Sequence, residues 1–149
     1  MKISAILASK GSDTVTITPD ATVASLIHIL AEHRIGAVVV SPDSIVIAGI
    51  VSERDVVRAM AADPDAGTTG GVRPKPVSEI MTTDVATISP DDTVDAAMHF
   101  MTEGRFRHLP VAVEGVLVGI VSIGDIVKAR LDSLEQERAA LVDYVTRGG

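Results

Sequence analysis

Cysteine is absent from this 149-residue chain. Its absence excludes disulfides, thiolate nucleophiles and Cys-ligated zinc. Tryptophan is also absent, and one Tyr and two Phe are the whole aromatic content. So few rings argue against the stacking platforms that hold single-stranded nucleic acid. Positive charge is in deficit: 13 Lys and Arg face 20 Asp and Glu, a formal net charge of −7. Nonspecific nucleic-acid binding depends on a basic surface, so no nucleic-acid partner is expected. A few local arginines can still reverse the field inside a cleft, which leaves a small anionic ligand open. No run approaches the roughly 20 apolar residues of a membrane span. The start, Met1-Lys2-Ile3-Ser4-Ala5, does not lead into the apolar stretch of a signal peptide. The expectation is a cytoplasmic protein with no membrane partner.

Aliphatic side chains are abundant. Hydrophobic residues make up 46 % of the chain, so the core is built from Val, Ile, Leu, Ala and Met. They fall into an internal repeat, which fixes architecture before any single motif does. Thr16-Ile17-Thr18-Pro19-Asp20-Ala21-Thr22-Val23 aligns with Thr87-Ile88-Ser89-Pro90-Asp91-Asp92-Thr93-Val94. The register holds through His28/His99, Glu32/Glu103 and Arg34/Arg105 to Val40/Val111. After one deletion it resumes at Gly49-Ile50-Val51-Ser52-Glu53-Arg54-Asp55 and Gly119-Ile120-Val121-Ser122-Ile123-Gly124-Asp125.

Each copy reads as β-α-β-β-α. A short strand, Val15 to Thr18 or Val85 to Ser89, leads through Pro-Asp to a helix capped by Thr22 or Thr93. Helical spacing follows in Val23, Leu26, Ile27 and Leu30, and in Val94, Ala97, Met98 and Met101. A strand at 37–40 or 109–113 turns into a second at 45–51 or 116–121. The signature Ser then opens a second helix, carrying Val56, Val57 and Met60, or Ile126, Val127 and Leu131. Units of about 50 residues are small for independent cores. The expected fold is therefore α/β. Two repeats are related by a pseudo-two-fold axis, with their sheets packed together and a ligand cleft between the halves for each copy. The divisions are residues 1–60, a flexible Gly- and Pro-rich linker at 61–76, residues 77–131, and an amphipathic tail at 132–149. An ordinary surface helix packs on its own domain, which is the expectation for that tail; a subunit contact is the alternative.

The polar signature has two readings. S-x-x-D is a capping box, which alone accounts for Ser52/Asp55 and Ser122/Asp125. The same strand-to-helix turn presents backbone N–H groups to a phosphate, and its Asp can accept from a vicinal diol. Arg54 sits at a helix start, where a cation is disfavoured, so it meets an anion or is merely solvated. Gly124 takes its place in the second copy, while Arg105, Arg107 and His108 add positive charge there. One site is therefore richer in phosphate contacts. The four histidines, 28, 33, 99 and 108, lack the spacing of a zinc hydrolase, and no metal is expected. Ser52 and Ser122 have no neighbouring His to act as base, which argues against an enzyme.

These segments, together with Val77-Ser78-Glu79-Ile80-Met81 and Arg105 to Val111, resemble a tandem pair of cystathionine-β-synthase (CBS) domains, a Bateman module of the small stand-alone bacterial type. The resemblance spans roughly Ile3 to Leu131. It implies a non-enzymatic regulatory module that binds an adenine nucleotide (AMP, ADP, ATP or NAD/NADH; S-adenosylmethionine also occurs in the family) and requires no metal. It places Asp55, Asp125, Ser52 and Ser122 at the ribose. Arg54, Arg107 and His108 would face phosphate. Thr16, Ile17, Ala37, Val38, Thr87, Ile88, Leu109 and Pro110 would enclose the adenine. It further implies a homodimer and a separate regulated protein partner, since no catalytic or transporter domain is attached. The alternative is a structural dimeric adaptor with no physiological small ligand, its Ser and Asp merely capping helices.

Overall fold

A computed structural model of the chain describes residues 1–11, 13–63 and 71–148. Helix α1 (Ile3–Lys10) precedes β1 (Thr16–Ile17), α2 (Val23–His33), β2 (Ala37–Val40), β3 (Gly49–Ser52) and α3 (Glu53–Ala62). A single 3-10 turn at Val77–Glu79 leads to α4 (Val94–Gly104), β4 (His108–Val113), β5 (Val116–Ser122) and α5 (Ile123–Thr146). In the first half β1 runs parallel to β2, which pairs antiparallel with β3. In the second half β4 and β5 are antiparallel. The strand expected at 85–89 shrinks to one parallel bridge, Ile88 to Val111, at the position equivalent to Ile17 opposite Val40. The strand expected over 45–51 is shorter and later, at 49–52. Asp43 explains the delay, because its carboxylate accepts from the N–H groups of both Ile45 and Val46 at 2.9 Å and holds them in a turn.

The helix starts are built alike. Thr22 Oγ1 accepts from the Ser25 N–H at 3.1 Å, and Thr93 Oγ1 from the Ala96 N–H at 3.0 Å. Their apolar stripes bury Val23, Leu26 and Leu30, and Val94, Ala97 and Met101. Both helices end on an arginine in the left-handed region, Arg34 at φ 54° and Arg105 at φ 56°. That conformation costs a non-glycine residue on the order of 1 kcal/mol. Ile35 and Phe106 each donate back to the helix, to the Leu30 and Met101 carbonyls, and so hold the turn.

The two halves exchange their leading segments. Ile3 and Ile6 of α1 pack with Ile88, Val94, Met101, Leu109 and Ile126 of the second half. Val72 and Val77, with Ile80 and Met81, pack with Val23, Leu26, Val38 and Val51 of the first half. The hydrogen bonds repeat the exchange. Ile3 N donates to Asp92 O and Ser4 N to Pro90 O, while Val77 N donates to Ala21 O and Ser78 N to Pro19 O. Ile3-Ser4-Ala5-Ile6-Leu7 is thus the structural counterpart of Val77-Ser78-Glu79-Ile80-Met81.

This corrects two expectations. Residues 77–81 lie in sequence ahead of the second repeat but complete the core of the first. The linker at 61–76 is not free along its length either. Residues 61–62 belong to α3, Val72 is buried, and the Lys75 and Arg73 carbonyls accept from Val23 and Ala24. Residues 64–70 of that linker lie outside the described residues.

The tail differs as well. It continues the second signature helix without a break, as the single 24-residue α5. Beyond Ala129 it is not packed on its own domain: Leu131, Leu134, Leu141, Val142 and Val145 are all exposed. Val57, Met60 and Val127 on the signature helices are exposed too. On these helices Val56, Ile126 and Ala129 are buried and Ala59 packs partly against the first apolar cluster.

The signature glycines are sites of close approach. A Cβ on Gly49 would lie 2.7 Å from the Met81 sulfur and 2.8 Å from the Thr82 carbonyl oxygen. A Cβ on Gly119 would lie 2.6 Å from a terminal methyl of Leu7. Leu7 and Met81 are counterparts, so the same exchange sets both glycines. A leucine methyl can swing away and a backbone carbonyl cannot. Gly49→Ala is therefore expected to destabilise by roughly 1–3 kcal/mol and Gly119→Ala by less, measured as urea midpoints of the two variants.

Candidate functional site

Both signature turns form the capping box that the sequence implies. The Asp55 carboxylate accepts from the Ser52 N–H at 2.8 Å and from the Ser52 hydroxyl at 3.1 Å, and the Asp55 N–H donates to Ser52 Oγ. Asp125 accepts from the Ser122 N–H at 2.8 Å and its own N–H donates to Ser122 Oγ at 3.1 Å. In both boxes these bonds fall on Oδ2, and Oδ1 of each carboxylate takes no hydrogen bond among the described residues. The helix starts are less open to phosphate than the motif alone implies. Glu53 N–H donates to the Gly36 carbonyl and Ile123 N–H to the Arg107 carbonyl. With the third amide already on Ser, only Arg54 N–H or Gly124 N–H is left in that first turn.

Each turn faces the arginine-capped loop of the opposite half. Ser52 and Asp55 share a cleft of about 470 Å³ with Arg105, Phe106, Arg107 and His108. Ser122 and Asp125 share one of about 420 Å³ with Arg34, Ile35, Gly36 and Ala37. The first cleft also contains Asp84, Val85 and Ala86; the second contains their counterparts Asp13, Thr14 and Val15. Gly36, Ala37 and His108 line both clefts and form the wall they share.

The structure sorts the expected site residues. Ser52, Asp55, Arg54, Arg107, His108 and Pro110 come together in the first cleft, and Ser122 and Asp125 in the second, with Ala37 in both. The adenine set is largely displaced. Ile17, Val38, Ile88 and Leu109 are core residues, from fully buried to 8 % exposed, and line neither cleft. Strand alternation turns them inward. Thr16 is bonded to the Ser44 hydroxyl at 2.7 Å, and Thr87 is exposed outside the clefts. Residues 13–15 and 84–86 stand in their place, just before the first strand of each copy. Sequence reading missed them, although Asp13 and Asp84 keep the register of the repeat. It also missed Arg58 and Phe106 in the first cleft and Lys10 in the second.

The clefts differ in charge. Arg54, Arg58, Arg105 and Arg107 line the first, against Glu53, Asp55 and Asp84. None of the four guanidinium groups is within 4.0 Å of a carboxylate among the described residues. The second cleft has Lys10 and Arg34 against Asp13 and Asp125. There Lys10 Nζ pairs with Asp125 Oδ2 at 2.7 Å. Burial alone would raise the Asp125 carboxyl; the Lys10 and Ser122 hydrogen bonds outweigh it and hold the group below the usual carboxylate range. Burial lowers the His108 imidazole, and Lys10 and Arg107 add to this, against the opposing pull of Glu53 and Asp125.

Comparison with known proteins decides the family. The CBS domain profile matches twice, over residues 7–62 and 77–132. The chain belongs to the CBS-domain proteins. Among curated relatives it is 33 % identical over 154 residues to the mitochondrial CBS domain-containing protein CBSX3 of Arabidopsis thaliana, covering 98 % of this chain and 72 % of that one. Among solved structures it is similar to the CBS-domain protein ATU1752 of Agrobacterium tumefaciens, with 42 % identity, a TM-score of 0.77, and coverage of 87 % and 99 %. Two more distant CBS proteins share the fold and were solved with ligands. The CBS domain pair of MJ0100 (24 % identity, TM-score 0.74, coverage 91 % and 98 %) holds 5′-methylthioadenosine and S-adenosylmethionine. CBSX2 (21 % identity, TM-score 0.71, coverage 88 % and 96 %) holds AMP. No helix among the described residues is long and apolar enough to cross a membrane.

His108 gives a pH test. Its proton is held less tightly in the fold than at the ordinary value of 6.5. The unfolded chain therefore binds more protons just below pH 6.5, and stability falls as pH drops through that window. Urea midpoints at pH 5.5 and 7.5 are expected to differ in the wild type, and the difference to shrink in His108→Gln.

Proposed function

We propose that this CBS pair is a non-enzymatic sensor that holds an adenine nucleotide (AMP, ADP, ATP or NAD/NADH) and passes its state to a separate protein. One observation carries the reading. In the first cleft an acceptor oxygen of Asp55 stands free, in the same cavity as four arginines with no carboxylate partner among the described residues. A ribose diol suits the first group and a phosphate the second. The cavity volume lies in the ordinary range for small-molecule sites, about 300–1,000 Å³. Val85, Ala86, Phe106 and Pro110 supply apolar surface for a base. The ligands of MJ0100 and CBSX2 are adenosine derivatives, which agrees with this class.

A thermal-shift titration with AMP, ADP, ATP, NAD, NADH and S-adenosylmethionine tests the reading. A ligand that binds only the folded state stabilises it by about 2.7 kcal/mol at a hundred times its Kd. A saturable rise in Tm with one of these is expected. No rise with any of them, on protein freed of carried-over nucleotide, leaves the adaptor reading in possession. Asp55→Asn keeps the side chain's shape but removes its charge. Charge-assisted hydrogen bonds contribute about 1.5–3 kcal/mol. A ten- to hundredfold weaker Kd is expected by calorimetry.

The proposal includes a second copy as partner. Exposed Val57, Met60, Ile123, Val127, Leu131 and Leu134 give the signature helices an apolar surface that no other described element covers. Sedimentation equilibrium is expected to give a dimer for the wild type and a monomer for Leu131→Glu/Leu134→Glu. A wild-type monomer removes this part of the proposal.

A further inference from the structure

The two clefts are built from the same repeat, yet among the described residues a side chain from outside the capping box reaches only one of the two carboxylates. The difference begins in the exchanged segments. In the first half the chain straightens after its 3-10 turn, and Thr82 pairs with Ile50 through both N–H···O bonds, at 2.9 and 3.0 Å. In the second half the matching chain stays helical through Lys10. Ile120, the counterpart of Ile50, then pairs with β4 alone, and no extended segment among the described residues lies along its other edge. The Lys10 ammonium reaches over instead, donating to the Ile120 carbonyl oxygen at 2.9 Å and to Asp125 Oδ2 at 2.7 Å. Ile120 and Asp125 both line the second cleft. Nothing equivalent touches Asp55, whose described hydrogen bonds come only from the Ser52–Asp55 box.

We propose that Lys10 is an internal plug: it holds the Asp125 carboxylate that a ribose would need, so the protein takes its ligand in the Asp55 cleft and keeps the Asp125 cleft closed. The inference rests on the nucleotide reading above. Three features support it. The ammonium sits on Asp125 Oδ2 and spans to the Ile120 carbonyl oxygen of the cleft wall; Oδ1 stays unbonded among the described residues, but the paired ammonium neutralises the carboxylate and stands beside the place a diol would take. Lys10 is 37 % exposed at its side chain and can leave without unpacking the core. With Lys10 and Arg34 set against Asp13 and Asp125, the second cleft has no excess of cations to draw a phosphate. Its ligand, once the plug is out, is an uncharged ribonucleoside rather than a nucleotide.

The test uses the full chain and two probes, AMP and adenosine, by titration calorimetry. Wild type is expected to bind one AMP per chain, and Asp55→Asn to lose it. In that Asp55→Asn background, adding Lys10→Met is expected to create adenosine binding at least tenfold tighter. Adding Asp125→Asn should abolish the gain, and Lys10→Arg should not produce it. Lys10→Met keeps the aliphatic stem, and a thermal melt of each variant reports whether it is folded. A lysine with a purely structural role lowers Tm on removal but opens no site. Lys10→Met that binds adenosine no better than its parent overturns the plug. So does a wild type that binds two AMP per chain with equal dependence on Asp55 and Asp125. AMP binding that depends on Asp55, with no gain from Lys10→Met, leaves the nucleotide reading standing and removes the plug alone. Absence of AMP binding in wild type and of adenosine binding in every variant removes both.

Discussion

The exchange of leading segments is the constraint on which the rest of this molecule depends. Neither half can close its apolar cluster with its own residues. Ile3 is fully buried against the second half and Val77 fully buried against the first. Each repeat is too small to be comfortable alone, and the exchange lets two marginal cores share their stabilisation. It also fixes where the signature turns lie. Leu7 and Met81 press on Gly119, in the middle of β5, and Gly49, at the start of β3, on the strands that lead into Ser122 and Ser52. A side chain at either glycine would push the strand away and move the turn with it. The position of the Asp carboxylates is thus set from the opposite end of the sequence.

Capping and binding are compatible uses of the same carboxylate. The capping box engages one oxygen of Asp55, and its geometry leaves the other free. A side chain already locked by two bonds loses little freedom when it receives a ligand, which is the advantage of preorganisation. The arginine-capped loops act similarly. Arg34 and Arg105 bear left-handed backbone strain that a glycine would relieve, and each loop that follows forms the wall of a cleft. The same strain is retained at the same point in both copies, at the turns that open onto the clefts.

The sequence made the repeat, the two threonine caps and the two capping boxes legible, because each depends on residues a few positions apart. What escaped was long-range. Ile3-Ser4-Ala5-Ile6-Leu7 matches Val77 to Met81, but the alignment of the repeats began only at Thr16. The intervening lengths differ between copies, so the shorter match dropped out of register. The adenine wall was assigned to strand residues such as Val38 and Leu109, whose alternation buries them. Residues 13–15 and 84–86 line the clefts instead, because they precede the strand and are not held inward by pairing. Lys10 has no counterpart at all, and only the fold brings it to a residue more than a hundred positions away. The end of α5 shows a different limit. Its apolar spacing was plain, but spacing does not say whether the covering surface lies in the same chain.

The exchange has a consequence for the order of events on the ribosome. Synthesis is vectorial, and domains begin to fold as they emerge. Here α1 emerges well before the second half against which it packs. Ile3 and Ile6 stay without their apolar partners until Leu109, Val121 and Ile126 have been made. The first repeat likewise waits for Val77, so a chain arrested between the repeats holds neither finished core. Contacts of such long sequence separation slow folding, because the loop must close before they contribute. Two similar repeats in one polypeptide also invite a leading segment to dock on the wrong half, where an equivalent turn with its own carboxylate, Asp55, is waiting.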